Sequence, residues 1–260
     1  MRTIAIINLK GGVGKTATTV NVAAILAKDY KQRVLVVDAD SQCNTTEFFG
    51  GADEMSSTLA DLLRETRDGV NDVVETYISQ TSFPGIDMIP ADDSLMDLDL
   101  TKVETNSVEA TVLRDLVSVL EEQDRYDWCL VDCPPAFNAA SAAALIAADE
   151  VIIPIKLDAF SLRGMANMTQ QISNMRKINP NLKLLGCLPT MWYTSPQVKE
   201  AEEALQKSGL PVFDHIRRTD KVDDMTFAQE PLIISSPRSA AGVDYRRFVR
   251  RLVKGGRKNG

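Results

Sequence analysis

A chain of 260 residues, 44% hydrophobic and 25% charged, carries enough apolar side chain for one substantial core and is expected to form a single domain over residues 1–260. Its longest small-apolar run, residues 139–148, is too short to cross a bilayer, and no secretory signal precedes the first apolar segment, so a transmembrane protein is excluded and a cytoplasmic location expected. The net charge of −7 excludes a chain that coats nucleic acid over its whole surface, yet residues 1–214 carry −13 and residues 215–260 carry +6.

The first predicted strand, residues 4–7, runs into Asn8-Leu9-Lys10-Gly11-Gly12-Val13-Gly14-Lys15-Thr16 and a helix over 15–28. Glycines at 11, 12 and 14 let the backbone approach an anion, and the N–H groups at the helix start point at it. Lys15 would then reach the β- and γ-phosphates and the Thr16 hydroxyl would hold Mg²⁺. An ordinary phosphate loop, G-x-x-x-x-G-K-[ST], needs its first glycine at position 9. Leu9 stands there, and an additional lysine, Lys10, precedes the glycines.

A second strand, 34–37, ends in Asp38-Ala39-Asp40-Ser41-Gln42, two carboxylates of which one can serve a metal shell while the other orients water. Helices are predicted over 58–64, 92–104 and 108–122 around a strand at 86–89, and the acidic stretch 53–109 reads as a solvated face. The strand at 129–131 delivers Asp132 and is stopped by Pro134-Pro135, a Walker B arrangement in which Asp132 would position Mg²⁺ through water. No glutamate follows, so Asp40 is the candidate for orienting the attacking water. Helices over 138–147, 162–177, 196–207 and 240–253 and strands at 151–155 and 182–188 complete the chain. The strands are nearly all apolar, as in sheets covered on both faces. The alternation predicts an α/β fold with a mainly parallel twisted sheet flanked by helices on both faces, and ligands beyond the carboxyl ends of its strands.

Four cysteines without a C-x-x-C pair and one histidine, His215, offer little for a zinc or redox site. In the last helix Tyr245, Phe248, Val249, Leu252 and Val253 share one face, and Arg246, Arg247, Arg250, Arg251 and Lys254 the other. Such a helix can lie on a membrane or pack on its own sheet; packing is expected, because Gly255-Gly256 ends it and a polar tail follows. With no groove-reading motif, Arg218, Lys221, Arg246, Arg247, Arg250 and Arg251 are candidates for contacts to DNA phosphates.

Together K-G-G-V-G-K-T, D-A-D-S-Q and D-C-P-P resemble the deviant Walker A ATPases of the ParA/MinD family, closest to the short ParA/Soj-type partition ATPases. Residues 151–154 with 160–164 resemble a strand and following helix of that family, 186–192 its adenine-side strand, 216–218 its I-P-R turn and 231–233 its last strand. The resemblance implies ATP and Mg²⁺ as cofactors and a slow, partner-stimulated ATPase. It implies catalytic roles for Lys10, Lys15 and Asp40, and nucleotide contacts from Gly11, Gly12, Val13, Gly14, Lys15, Thr16, Ala17, Thr190, Met191 and Arg218. Thr16, Asp38 and Asp132 would serve the metal. It further implies a homodimer with ATP sandwiched, in which Lys10 reaches the partner's nucleotide. Nonspecific DNA binding on the nucleoid, a ParB-like centromere-binding partner, and plasmid or chromosome partition complete the expectation. Asp158 and Arg163 are candidate interface residues. Ala17, Ser41, Cys43 and Arg217 depart from the family's usual Thr, Pro, Gly and Pro; Ala17 keeps its N–H, whereas Arg217 bears on the adenine contact. A MinD-like, membrane-associated regulator of cell division is the alternative. An iron-sulfur ATPase like the nitrogenase iron protein would need cysteines at positions these four do not occupy, and a metabolic P-loop enzyme has little need of Lys10.

Overall fold

The computed structural model describes residues 1–50, 57–64, 74–98, 109–159 and 161–255. Seven strands, β1 (Arg2–Ile6), β2 (Val34–Asp38), β3 (Ser79–Gln80), β4 (Ile86–Ile89), β5 (Trp128–Asp132), β6 (Glu150–Lys156) and β7 (Lys183–Thr190), form one sheet in the order β3-β4-β2-β5-β1-β6-β7. All neighbours are parallel except the antiparallel edge pair β3–β4.

Side chains alternate across each strand, and here both faces are covered. Ala5, Leu35, Val37, Cys129 and Val131 pack on one side with α3 (Leu59–Leu62), α4 (Val112–Glu122), α5 (Ala139–Ala147) and the buried residues of α6 (Ser161–Met175) and α7 (Pro196–Gln206). Ile4, Ile6, Val34, Val36, Trp128 and Leu130 pack on the other with α1 (Lys15–Tyr30), α2 (Asn44–Phe48), α8 (Lys221–Ala228), α9 (Leu232–Ser235) and α10 (Ala240–Gly255). Two apolar layers explain why the strands lack polar alternation. Parallel register sets Asp38 beside Asp132 at the carboxyl ends of β2 and β5, with β1 feeding the glycine loop next to them.

Several expectations need correction. Residues 231–233 are not a strand: Ile234 N and Ser235 N donate to Pro231 O at 2.8 and 3.0 Å, and Leu232 N donates to Asn21 Oδ1. Pro231 has no N–H for a sheet ladder and suits a helix start, so the short apolar run coils. The helix expected over 92–104 is a 3₁₀ turn at Asp93–Asp97, and 99–108 lie outside the described residues. The helix expected over 108–122 begins at Val112. All four cysteines are free thiols.

Candidate active site

The loop between β1 and α1 is shaped from within. Asn8 Nδ2 donates to Pro154 O at 2.8 Å and its Oδ1 accepts from Lys10 N at 2.9 Å, tying the loop's entrance to β6. Gly14 starts α1 with φ 83°, a left-handed conformation that glycine adopts without a Cβ penalty. Thr190 Oγ1, at the end of β7, donates to Val13 O at 2.7 Å.

Lys15 is buried inside the loop, its Nζ donating to Lys10 O at 3.4 Å. Burial pulls its ammonium below the ordinary lysine range, and the charges of Asp132 and then Asp40 oppose that pull. Asp132 Oδ2 accepts from Thr16 Oγ1 at 2.7 Å and from Thr45 Oγ1 at 2.6 Å, while its Oδ1 is buried and takes no hydrogen bond. Asp38 Oδ2 accepts from the N–H and the hydroxyl of Thr46, both at 2.8 Å, and Oδ1 accepts from Asp40 N at 3.1 Å. Burial, with Asp132's charge next, pushes the Asp38 carboxyl up to about 7. Asp132 is raised by burial against the opposing hydroxyls of Thr45 and Thr16. These are hard oxygen donors held beside one ammonium, with an unpartnered carboxylate oxygen among them, which suits Mg²⁺. Asp40, almost buried, accepts from Gln42 N at 3.1 Å.

Two adjoining cavities open from this loop, both touching Gly14, Ala17 and Met191. One of about 340 Å³ is lined by residues 11–17 with Asp40, Gln42, Asn44 and Pro135. The other, about 230 Å³, lies between Thr190, Tyr193 and residues 216–219, with Lys156, Val222, Asp223 and Tyr245. A larger cavity of about 510 Å³ lies at the amino ends of β2 and β4, is mainly apolar and has no carboxylate in its lining, so size does not mark the chemistry here.

The fold and loop have counterparts. A family described as "AAA domain" matches residues 1–184. The chromosome partitioning protein ParA of Caulobacter vibrioides is 31% identical over 258 residues, covering 97% of this chain and 94% of ParA. Apo McdA of Cyanothece shares the fold with a TM-score of 0.84 at 24% identity, covering 97% of this chain and 99% of that one. A Mycobacterium smegmatis protein described as cobyrinic acid a,c-diamide synthase, with bound ADP and magnesium, gives 0.78 at 28% identity, covering 99% and 97%. The chain belongs to the ParA/MinD family of P-loop ATPases.

In this ParA-family ATPase the site residues expected from sequence fall into three groups. Gly11, Gly12, Val13, Gly14, Lys15, Thr16, Ala17, Asp38, Asp40 and Asp132 converge on one site, with Thr190, Met191 and Arg218 lining the adjoining cavity. Lys10 points elsewhere: its Nζ pairs with Asp158 on the outer rim, with 39% of the side chain exposed. The basic residues are separate again. Arg250 is exposed, Lys221 pairs with Asp224 at 2.7 Å, and Arg251 lies over the Phe213 ring at 5.1 Å. Arg246 is half-buried, pairing with Asp29 of α1 at 3.1 Å, and Arg247 pairs with Asp244 at 2.7 Å. The single histidine, His215, stacks on Trp192 and pairs with Glu202 at 2.7 Å, a structural placement. Sequence reasoning missed Thr45 and Thr46, whose hydroxyls hold Asp132 and Asp38; their only signal is a position five and six residues after Asp40.

Proposed function

We propose that this ParA-family ATPase is an ATP-driven dimerisation switch that binds DNA without sequence preference and partitions a plasmid or chromosome. The observation that carries the proposal is Lys10. An ammonium held on the rim by Asp158, beside the exposed Gly11 and Gly12, serves phosphates of a second subunit better than those of its own. ATP with Mg²⁺ is the cofactor pair. Lys15 and the N–H groups of residues 11–17 would bind the phosphates, and Thr16, Asp38 and Asp132 would hold the metal, which neutralises phosphate charge when bound. Asp40 would orient the water. A carboxylate without a second base makes for slow hydrolysis, which a ParB-like centromere-binding partner would stimulate. The base would lie between Thr190, Met191 and Arg218.

The C-terminal helix supports DNA over membrane as the target. Tyr245, Phe248, Val249 and Leu252 are all buried against the body, so its apolar face is already used, while Arg250, Arg251, Arg218 and Lys221 are all exposed in an otherwise acidic chain. No helix among the described residues is long and apolar enough to cross a membrane. Co-sedimentation with nonspecific duplex DNA and with anionic vesicles, each with and without ATP, tests the reading. DNA binding only with ATP, and no vesicle binding, is the expected result; ATP-dependent vesicle binding without DNA binding would replace it by the MinD-like function.

A further inference from the structure

The base-side cavity is walled by residues 216–219, a segment outside the sheet. Ile216 N donates to Pro189 O at 2.8 Å, Trp192 N to Ile216 O at 3.0 Å and Arg218 N to Trp192 O at 2.8 Å, which fastens the segment to the end of β7. Arg217, at its centre, turns instead toward α10. Asp244 Oδ2 accepts from Arg217 N at 3.0 Å and from Nε at 2.8 Å, and Oδ1 accepts from NH2 at 2.9 Å. The Asp244 side chain has no solvent exposure, and its remaining contact is Arg247 NH2 at 2.7 Å. The next residue, Tyr245, lies with its hydroxyl 3.2 Å from Thr18 Oγ1, which donates to Gly14 O at 2.7 Å. Two consecutive residues of α10 therefore reach the two walls of one cavity.

Burying a carboxylate completely is costly, and α10 gains nothing from it that an apolar residue would not give. The compensation lies at the far end of its hydrogen bonds. We infer that Asp244 is a positioning residue for nucleotide binding, which clamps the Arg217 turn in place as the wall against which the base docks. The inference rests on reading this cavity as the base site. Because the same carboxylate holds Arg247, the wall and the basic helix share one anchor.

Titration calorimetry of the full chain with Mg-ATP and with Mg-tripolyphosphate, which has phosphates and no base, tests this. Asp244→Asn should weaken ATP binding by about tenfold and leave tripolyphosphate within about twofold. Arg217→Ala, at a half-exposed side chain that can be lost without endangering the fold, should shift ATP affinity in the same direction by less, since its backbone N–H still donates. Equal losses for both probes, or no loss for either in both variants, would overturn the clamp. Wild-type protein that binds ATP no more tightly than tripolyphosphate would instead remove the base-site reading on which it rests.

Discussion

The Nζ of Lys15 reaches Lys10 O inside the loop, whereas the Nζ of Lys10 ends on Asp158 outside it. Different losses should follow from removing each. Lys15→Ala is expected to cost ATP affinity by about a hundredfold, the loss of a charge-assisted contact in a buried setting. Lys10→Ala should bind ATP like the wild type and fail to dimerise with it. Sedimentation with and without ATP separates the two, and normal ATP-dependent dimers from Lys10→Ala would end its cross-subunit role. The metal-side carboxylates make a second prediction. A carboxyl raised by folding contributes stability below its unfolded value, about 4, and loses it as pH rises through its folded value. Asp38 is raised to about 7 and Asp132 in the same direction, so without metal the site should lose stability as pH climbs from about 4 toward 7. Asp132→Asn keeps an acceptor for Thr16 and Thr45 and removes the charge. Its thermal midpoint in EDTA should exceed that of the wild type at pH 8, with the gain shrinking toward pH 4, while Mg²⁺-dependent hydrolysis is lost. No gain at pH 8 would mean that the ionised carboxylate is not the source of strain.

Among the elements, α10 shows how far a pattern carries. Its helical period and apolar face were legible because five apolar residues recur within a narrow arc, and the structure buries Tyr245, Phe248, Val249 and Leu252 as that arc requires. The strands at the centre of the sheet were legible for a related reason: burial on both faces leaves an unbroken apolar run. Where a run is short the argument weakens. Residues 231–233 resemble the family's last strand, yet Pro231 and the Asn21 side chain coil them into α9. β3 has two residues and leaves almost no pattern. The outward cations of α10 can be tested without touching its packing. Arg247 is unsuitable, since it shares Asp244 with Arg217, but Arg250 is exposed and Arg251, also exposed, rests over the Phe213 ring. Changing Arg250 and Arg251 together to Glu should abolish DNA binding at moderate salt and leave ATP affinity unchanged. A milder pair, Arg250→Gln with Arg251→Gln, should lower the slope of log affinity against log salt by about two per protomer. An unchanged slope would place the DNA surface elsewhere.

At the scale of the whole molecule, legibility divides by sequence distance. Gly11 to Thr16, Asp38, Asp40 and Asp132 each sit where a strand meets a turn, and local chemistry marks such places. Thr45 was not legible because its partner, Asp132, is 87 residues away, and Asp244 because a carboxylate inside an amphipathic helix looks solvated until Arg217 is brought against it. Charge follows the same division: a −13 body and a +6 C-terminal segment are read from sequence, but their consequence depends on assembly. On the proposed function a single copy would offer a few phosphate contacts against an acidic background, whereas a dimer would double them. Since each phosphate contact adds to the salt slope, doubling their number raises affinity far more than twofold. DNA binding should therefore be a property of the ATP-bound dimer. Asp40→Ala, which removes the carboxylate proposed to orient water and keeps Lys15 and the glycine loop, should bind ATP, hydrolyse it at least about tenfold more slowly, and stay dimeric on DNA after free ATP is removed. Wild type should leave the DNA as its ATP is consumed. Equal turnover in the two proteins would take Asp40 out of the mechanism, and equal release from DNA at unequal turnover would uncouple hydrolysis from the switch.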